Sequence, residues 1–326
     1  MPVLNEGNHL AAAVEAVLNQ DFDGSIDVIL ALGPSTDDTD QVAARLCERD
    51  PRVRTVDNPS GRTPTGLNAA LSQATADIVV RVDGHCELPV DYISIAVETL
   101  RRTGADNVGG IMAAQGETPF ESAVAVAMTS PLGVGGASFH VGGQESEAET
   151  VYLGVFRSSA LRRVSGYDER FDRAQDWEMN HWIRATGGLV WFNPAMRVSY
   201  RPRSTVKALA RQYFQYGTWR REIMRQHTGT IQARYLAPPA AVVAVSVGLV
   251  VGVAGLAAAK TGARRAARIA QLGWGAPVGY VAAVASGGWH IGRAQPEGVK
   301  RRIPIALATM HMAWGVGFIT SRRKLP

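Results

Sequence analysis

Two short constellations in this sequence could do chemistry. In the first, Asp83 and His85 follow the apolar, β-branched run Ile78 to Val82, and Pro89 forbids a strand from continuing past them. A carboxylate and an imidazole at i and i+2 point to the same side of an extended strand end. Together they can hold a divalent cation whose other ligands are phosphate oxygens. The plainer alternative is a strand-to-loop turn with a solvated Asp83. In the second constellation, Asp176 and Glu178 fall at the start of a helical pattern, Ala174-Gln175-Asp176-Trp177-Glu178-Met179-Asn180-His181-Trp182. Carboxylates in a first helical turn are favoured by the helix dipole, and for Glu178 that role can suffice.

These groups need a frame to position them. Pro2-Val3-Leu4-Asn5-Glu6 reads as a strand end and its loop, so a β-branched run is expected upstream of Met1. Asn8 caps a helix marked by Leu10, Val14, Val17 and Leu18. Ile26 to Leu32 reads as a buried strand, closed by the turn Gly33-Pro34-Ser35-Thr36-Asp37-Asp38-Thr39 and a helix to Arg49. Val53 to Val56 is a short strand, followed by the loop Asn58 to Pro64 and a helix through Ala74. The strand before Asp83 comes next. Strand–helix alternation with short loops predicts a parallel sheet with ligands at the strand C-termini, where all these loops fall. This is an α/β nucleotide-binding layout. It carries neither G-x-G-x-x-G nor G-x-x-x-x-G-K-[ST], which argues against hydride transfer and P-loop hydrolysis. Residues 107–150 are rich in glycine and small side chains, including Gly133 to His140, and read as a mobile loop able to close over a ligand. Val151 to Phe156 is a strand.

Four motifs in order then carry a resemblance: Pro2-Val3-Leu4-Asn5-Glu6, Gly33-Pro34-Ser35-Thr36-Asp37, Asn58-Pro59 with Asn68, and Asp83-Gly84-His85. Their order and spacing resemble those of family 2 glycosyltransferases, inverting enzymes with the GT-A fold. Within that family Leu30 to Asp37 and Arg81 to His85 look most like the membrane-bound glucosyltransferases of succinoglycan-type exopolysaccharide synthesis. The resemblance implies a donor site lined by Leu4, Glu6, Gly33, Asp37, Arg62 and Asp83, with Mg²⁺ or Mn²⁺ at Asp83 and His85 and a UDP-sugar as the expected donor. It matches Asp176 to the family's general base, with Gln175 where the family has Glu. An attacking acceptor hydroxyl must lose its proton, and a carboxylate within hydrogen-bond reach can take it. Gln175, Gln215 and Trp219 are the implied acceptor contacts. Gln215-Tyr216-Gly217-Thr218-Trp219 resembles the Gln-x-x-Arg-Trp motif of processive members, with Thr218 in place of Arg. That departure suits transfer of a single sugar. Two more departures are Gly33 or Leu32 where the family places its base-reading Asp, and His85 where it places a second acidic ligand.

The C-terminal part differs in character. The net charge is +5, and from Arg201 onward only Glu222 and Glu297 are acidic. Residues 203–235 read as basic amphipathic helices with interleaved aromatics, suited to a membrane surface. Uncharged stretches over about 236–259, 269–292 and 303–321 each approach the ~20 residues a span requires. Gly248 with Gly252, and Gly275 with Gly279, offer small-residue faces for helix packing. Lys and Arg are balanced between the two loops, so the positive-inside rule does not orient the spans. The basic clusters alternate with apolar segments, which points to a membrane and not to nucleic acid. Two cysteines in unrelated contexts, Cys47 and Cys86, indicate neither a disulfide framework nor a zinc knuckle. The first residues show no signal-peptide pattern, and a nucleotide-sugar donor is cytosolic.

The expectation is therefore an α/β chain of three parts: a GT-A catalytic domain over 1–202, interfacial helices over 203–235, and a transmembrane region of about three helices over 236–326. It would be a multi-pass protein of the cytoplasmic membrane, its catalytic domain facing the cytosol, acting on a lipid-linked or growing glycan acceptor. A catalytically silent membrane scaffold for a partner synthase is the competing reading. A sugar nucleotidyltransferase shares the sheet layout but needs no spans.

Overall fold

The computed structural model describes residues 1–261 and 264–323; 262–263 and 324–326, which fall in the expected C-terminal region, lie outside the described residues. The chain divides into two compact units, one formed by Met1–Ala113 with Gly136–Tyr200, the other by Ala114–Gly135 with Arg201–Pro326.

The first unit begins with β1 (Pro2–Val3), α1 (Leu10–Leu18), β2 (Val28–Leu32), α2 (Thr39–Arg49), β3 (Val53–Asp57) and α3 (Thr63–Gln73). The three strands form a parallel sheet in the order β1-β2-β3, with Pro2 opposite Ala31 and Leu32 opposite Asp57. Leu10, Ala13, Val14 and Val17 bury one face of α1 against this sheet, following the helical spacing of the sequence. The next elements are β4 (Ile78–Val80), α4 (Tyr92–Thr103) and β5 (Asn107–Ala114). Instead of extending the first sheet, β4 pairs antiparallel with β7 (Tyr152–Arg157), and so does β5. The second sheet runs β4-β7-β5-β8-β6, with β6 at Ser146–Glu147 and β8 at Val190–Tyr200. Helices α8 (Ser158–Arg163) and α9 (Gln175–Ala185) lie between β7 and β8 in the chain.

Residues 107–150 are not the mobile loop expected of so glycine-rich a stretch. They form β5, then α5 (Pro119–Met128), the single turns α6 (Pro131–Val134) and α7 (Ser138–Val141), and β6. The glycines answer to packing: a Cβ on Gly109 would stand 2.5 Å from the Tyr152 carbonyl oxygen, and one on Gly110 would collide with the Met196 carbonyl. Residues 114–135, with α5 and α6, fall in the second unit.

That unit also holds α10 (Val206–Gln226), α11 (Ala233–Lys260), α12 (Arg264–Gln271), α13 (Gly275–Ile291), α14 (Glu297–Lys300) and α15 (Ile303–Thr320). The stretch 203–235, expected to hold basic amphipathic helices, contains α10 and the first residues of α11, with a break between Gln226 and Ala233. Among the described residues, two helices are long and apolar enough to cross a membrane, Ala233–Lys260 and the run Glu297–Thr320. The stretch 269–292 is not one helix. A 3₁₀ turn at Leu272–Trp274 separates α12 from α13, which has 17 residues and spans about 25 Å at 1.5 Å per residue. A bilayer core is about 30 Å thick. The turn sits against α11, where a Cβ on Gly273 would stand 2.7 Å from both the Gly248 carbonyl oxygen and the Gly252 nitrogen. Gly248 and Gly252 thus face a neighbour, whereas Gly275 and Gly279 have open space where a Cβ would project.

Candidate active site

Short polar side chains tie the loops after β1 and β2 together. Asn5, at φ 56°, accepts from the Thr36 N–H at 2.7 Å and donates its own N–H to Ser35 Oγ at 3.0 Å. Asp37 accepts from the Gly7 N–H at 3.1 Å and from Thr39 Oγ1 at 2.5 Å. These bonds, the Thr39 hydroxyl foremost, hold the Asp37 carboxyl below the usual carboxylate range. Asp37 thereby braces the loop that carries Glu6. Leu4 lies over two glycines: a Cβ on Gly33 would stand 3.1 Å from both Leu4 Cδ1 and Gly61 Cα. Glu6 meets His85, with Oε1 and Nδ1 2.8 Å apart.

Arg81 joins the two constellations. It follows β4, its N–H donates to the Gly154 carbonyl at 3.1 Å, and its side chain is only 7% exposed. Nη2 donates to Asp83 Oδ1 at 3.1 Å, and Nη1 pairs with Asp176 Oδ1. Asp83 and Asp176, 93 positions apart in sequence (176 − 83), therefore share one buried guanidinium. The sequence shows the motif Arg81-Val-Asp83 without indicating a role for Arg81. The available signal was a charged residue inside an apolar strand run.

Asp176 is placed by a loop stapled from below. Asn68, on α3, donates Nδ2–H to the Tyr167 carbonyl at 2.8 Å and to Glu169 Oε1 at 3.0 Å, and accepts the Tyr167 N–H at 2.8 Å. Arg62 donates to Asp172 Oδ1 at 2.5 Å and to the Glu169 carbonyl at 2.6 Å. Ala174, at φ 62°, turns the chain into α9, and Gln175 and Asp176 are its first two residues. Replacing Asn68 with Ala removes three bonds and leaves the Tyr167 N–H unpartnered. We expect a loss of about 1–3 kcal/mol, read from thermal unfolding, together with a lower turnover rate.

Glu178 lies in the first turn of α9, as the sequence suggests, but it is buried there. It is 2% exposed, and burial foremost, with Asp168 nearby, pushes its carboxyl up to about 7. The folded protein thus keeps a proton that the unfolded chain releases near the ordinary value of 4.5. Stability contributed by this group is complete below pH 4.5 and declines as the pH rises toward 7. Glu178→Gln should remove that decline, so its Tm advantage over the parent protein should grow from pH 4.5 to 7.5. A Tm difference independent of pH contradicts the assignment.

Gln215 and Trp219 lie on α10, in the second unit, with Gln215 half-buried and Trp219 4% exposed. Thr218 is buried there beside Gly217: its hydroxyl donates to the Phe214 carbonyl at 2.9 Å and is 3.3 Å from the Gly317 carbonyl oxygen. A Cβ on Gly217 would collide with the Trp314 carbonyl, and one on Gly317 with that of Phe214. So close a crossing of α10 and α15 leaves no volume for an arginine at 218.

Among the described residues, no group of three His, Cys, Asp or Glu side chains is placed to hold a metal ion alone. Asp83 and His85 offer one carboxylate and one imidazole around Gly84, which packs on Glu6. Such a donor set fits a cation that brings phosphate oxygens as its remaining ligands.

A parallel sheet with polar loops at its strand ends, accompanied by a second sheet that carries Asp83 past its first strand, is the layout of a GT-A glycosyltransferase. The chain belongs to glycosyl transferase family 2, whose model matches residues 1–164. It is 32% identical to the succinoglycan biosynthesis protein ExoA of Rhizobium meliloti (strain 1021), over 98% of this chain and 92% of that protein. It is 25% identical to a Methanococcus voltae dolichyl N-acetyl-alpha-D-glucosaminyl phosphate 3-beta-D-2,3-diacetamido-2,3-dideoxy-beta-D-glucuronosyltransferase, over 67% of this chain and 70% of that one. Among solved structures, the mannosyltransferase PcManGT of Pyrobaculum calidifontis, in complex with GDP-Man and Mn²⁺, superposes with a TM-score of 0.60 at 18% identity. It covers 98% of this chain and 85% of that one. At that identity the likeness concerns the fold.

Proposed function

We propose that this chain is a membrane-anchored inverting glycosyltransferase that moves a sugar from a nucleotide-sugar donor, a UDP-sugar, to a lipid-linked or growing glycan acceptor in exopolysaccharide or envelope-glycan synthesis. The observation that supports this reading is the pairing of Asp83 and Asp176 with one buried guanidinium; on this reading Asp83 serves the diphosphate and Asp176 the acceptor. Leu4, Glu6, Gly33, Asp37, Arg62 and Asp83 line the donor pocket, some directly and some, like Asp37 and Arg62, by fixing the loops. Gln175 is the acceptor contact that the first unit supplies, whereas Trp219, 4% exposed, packs within the second unit.

Asp176 takes the proton of the acceptor hydroxyl as its oxygen bonds to the anomeric carbon. The bond from that carbon to the diphosphate breaks on the opposite face, its electron pair leaving with the nucleoside diphosphate, and configuration inverts. A divalent cation held by Asp83 and His85 would offset the charge of the leaving diphosphate. A retaining hydrolase would instead need two close carboxylates acting as acid and nucleophile.

The membrane part of the proposal rests on the two long apolar helices, which expose Val243, Val247, Val250 and Val253 on the first and Ile305, Val316 and Ile319 on the second. On this reading the broken α12–α13 segment packs beside α11 at Gly248 and Gly252 and does not make a full third crossing. The catalytic domain faces the cytosolic donor supply. A groove of about 600 Å³ between α10, α11 and α15 is lined by Arg221, Leu236, Pro239, Val243, Phe318 and Ile319. Its one cation and otherwise apolar wall suit a lipid chain ending in phosphate, which supports the lipid-linked acceptor. The test is release of nucleoside diphosphate from candidate sugar nucleotides by detergent-purified protein, with and without lipid-linked acceptor. A silent scaffold releases none.

A further inference from the structure

Resting on the donor-site and base assignments above, we propose that Arg81 is a positioning residue that competes with the donor's divalent cation for Asp83 while holding Asp176 in place. Three observations carry this. Arg81 spans both carboxylates with separate nitrogens, Nη2 on Asp83 and Nη1 on Asp176. Its side chain is 7% exposed, so its charge is desolvated and must keep at least one carboxylate partner. Its Nε is buried with no hydrogen-bond partner among the described residues, and Nη1 meets Asp176 as an ion pair and not as a hydrogen bond, so the guanidinium is not locked by a full set of bonds.

A carboxylate oxygen that binds a cation cannot also serve a guanidinium at full strength, because the two positive charges repel at that separation. A cation arriving at Asp83 therefore displaces Nη2. Asp176 then remains the one carboxylate partner, and the buried charge holds it more firmly. Loading of the donor side and fixing of the acceptor-side carboxylate become one event. No proton transfer is needed for this exchange, only a change of partner. The fork geometry matters, since a lysine ammonium is a point charge that cannot span both sites.

The experiment uses the full chain in detergent. Binding of Mn²⁺ is followed by loss of its free electron-paramagnetic-resonance signal, in the presence of UDP and, in a parallel series, GDP. With Arg81→Met the competitor is gone, and the Mn²⁺ concentration at half-saturation should fall within the 5–150-fold range usual for coupled sites, about tenfold being expected. The transfer rate should move the opposite way: kcat falls by about 10–100-fold as Asp176 loses its anchor, with little change in donor KM. Arg81→Lys keeps the buried charge and carries the test if the Met variant does not fold; it too should bind Mn²⁺ more tightly and turn over more slowly. A purely structural arginine would weaken binding and turnover together. Unchanged or weaker Mn²⁺ binding in the folded variants overturns the proposal. Asp83→Ala, run alongside, separates two failures. If it leaves Mn²⁺ binding intact, the donor-site assignment itself is wrong. If it abolishes binding while the Arg81 variants bind no tighter, only the competition is wrong.

Discussion

Asp176→Asn should lower the rate of sugar transfer by roughly 10²–10⁴-fold, the usual worth of general base catalysis. The amide preserves shape and can still accept a hydrogen bond through its oxygen, but it cannot take a proton. Donor affinity should move far less than the rate, because the group acts on the acceptor hydroxyl; the small change expected is a weaker cation-dependent affinity, as Arg81 is left with Asp83 as its one charged partner. The pairing with Arg81 sharpens the expectation. A neutral amide releases half of the guanidinium's charge balance, so a modest loss of thermal stability should accompany the kinetic loss. The two effects separate on measurement, since kcat at saturating substrates below the melting transition reports only the folded fraction. Near parental turnover would make Asp176 a helix-start carboxylate, and the base would have to be sought elsewhere.

Asp83→Ala should abolish cation-dependent donor binding. The diphosphate of a nucleotide sugar is strongly anionic, and without a bound cation its charge would meet Glu6 close by, 2.8 Å from His85. Calorimetric titration of the protein with sugar nucleotide and Mn²⁺ or Mg²⁺ reads this directly, and unchanged affinity would sink the assignment. His85→Ala should cost less. Phosphate oxygens and water can fill one lost ligand position, while a lost carboxylate removes charge as well as a ligand. The His85 variant should also release Glu6 from its partner, so its effect on donor binding includes some loosening of the β1 loop.

Much of this site could be read in the chain because the parallel part of the sheet is local. In β1 to β3 each strand, turn and crossover follows the last, and Asn5, Asp37 and Asn58 sit at turns that their side chains build. The order of Glu6, Gly33, Asp37 and Asp83 therefore carried over directly into neighbouring loops. What escaped depends on partners distant in sequence. The glycines of β5 looked like mobility, but Gly109 and Gly110 are small because the backbones of Tyr152 and Met196 crowd them. The strand before Asp83 looks like a fourth member of the parallel sheet, yet its ladder partner is β7, with Ile78 opposite Arg157, 79 positions later (157 − 78). Glu178 looked like a dipole carboxylate because no local pattern announces burial. The 269–292 stretch is uniformly apolar, and hydropathy cannot register the turn at Leu272–Trp274 that divides it.

The tight crossing of α10 and α15 also has a consequence for how the protein is made. Thr218 reaches the Gly317 carbonyl across 99 positions, and Arg225 donates to the Ser321 carbonyl at 2.7 Å across 96. At about 5–20 residues per second, a ribosome needs on the order of 5–20 s to supply that partner after α10 has emerged. During this interval Gly217, Thr218 and Glu222 have nothing to pack on, and the carboxylate of Glu222, fully buried in the finished fold, stays in water. Assembly of the C-terminal unit therefore waits for its last helix. Chains that stall before residue 317 should be the ones that quality-control proteases find.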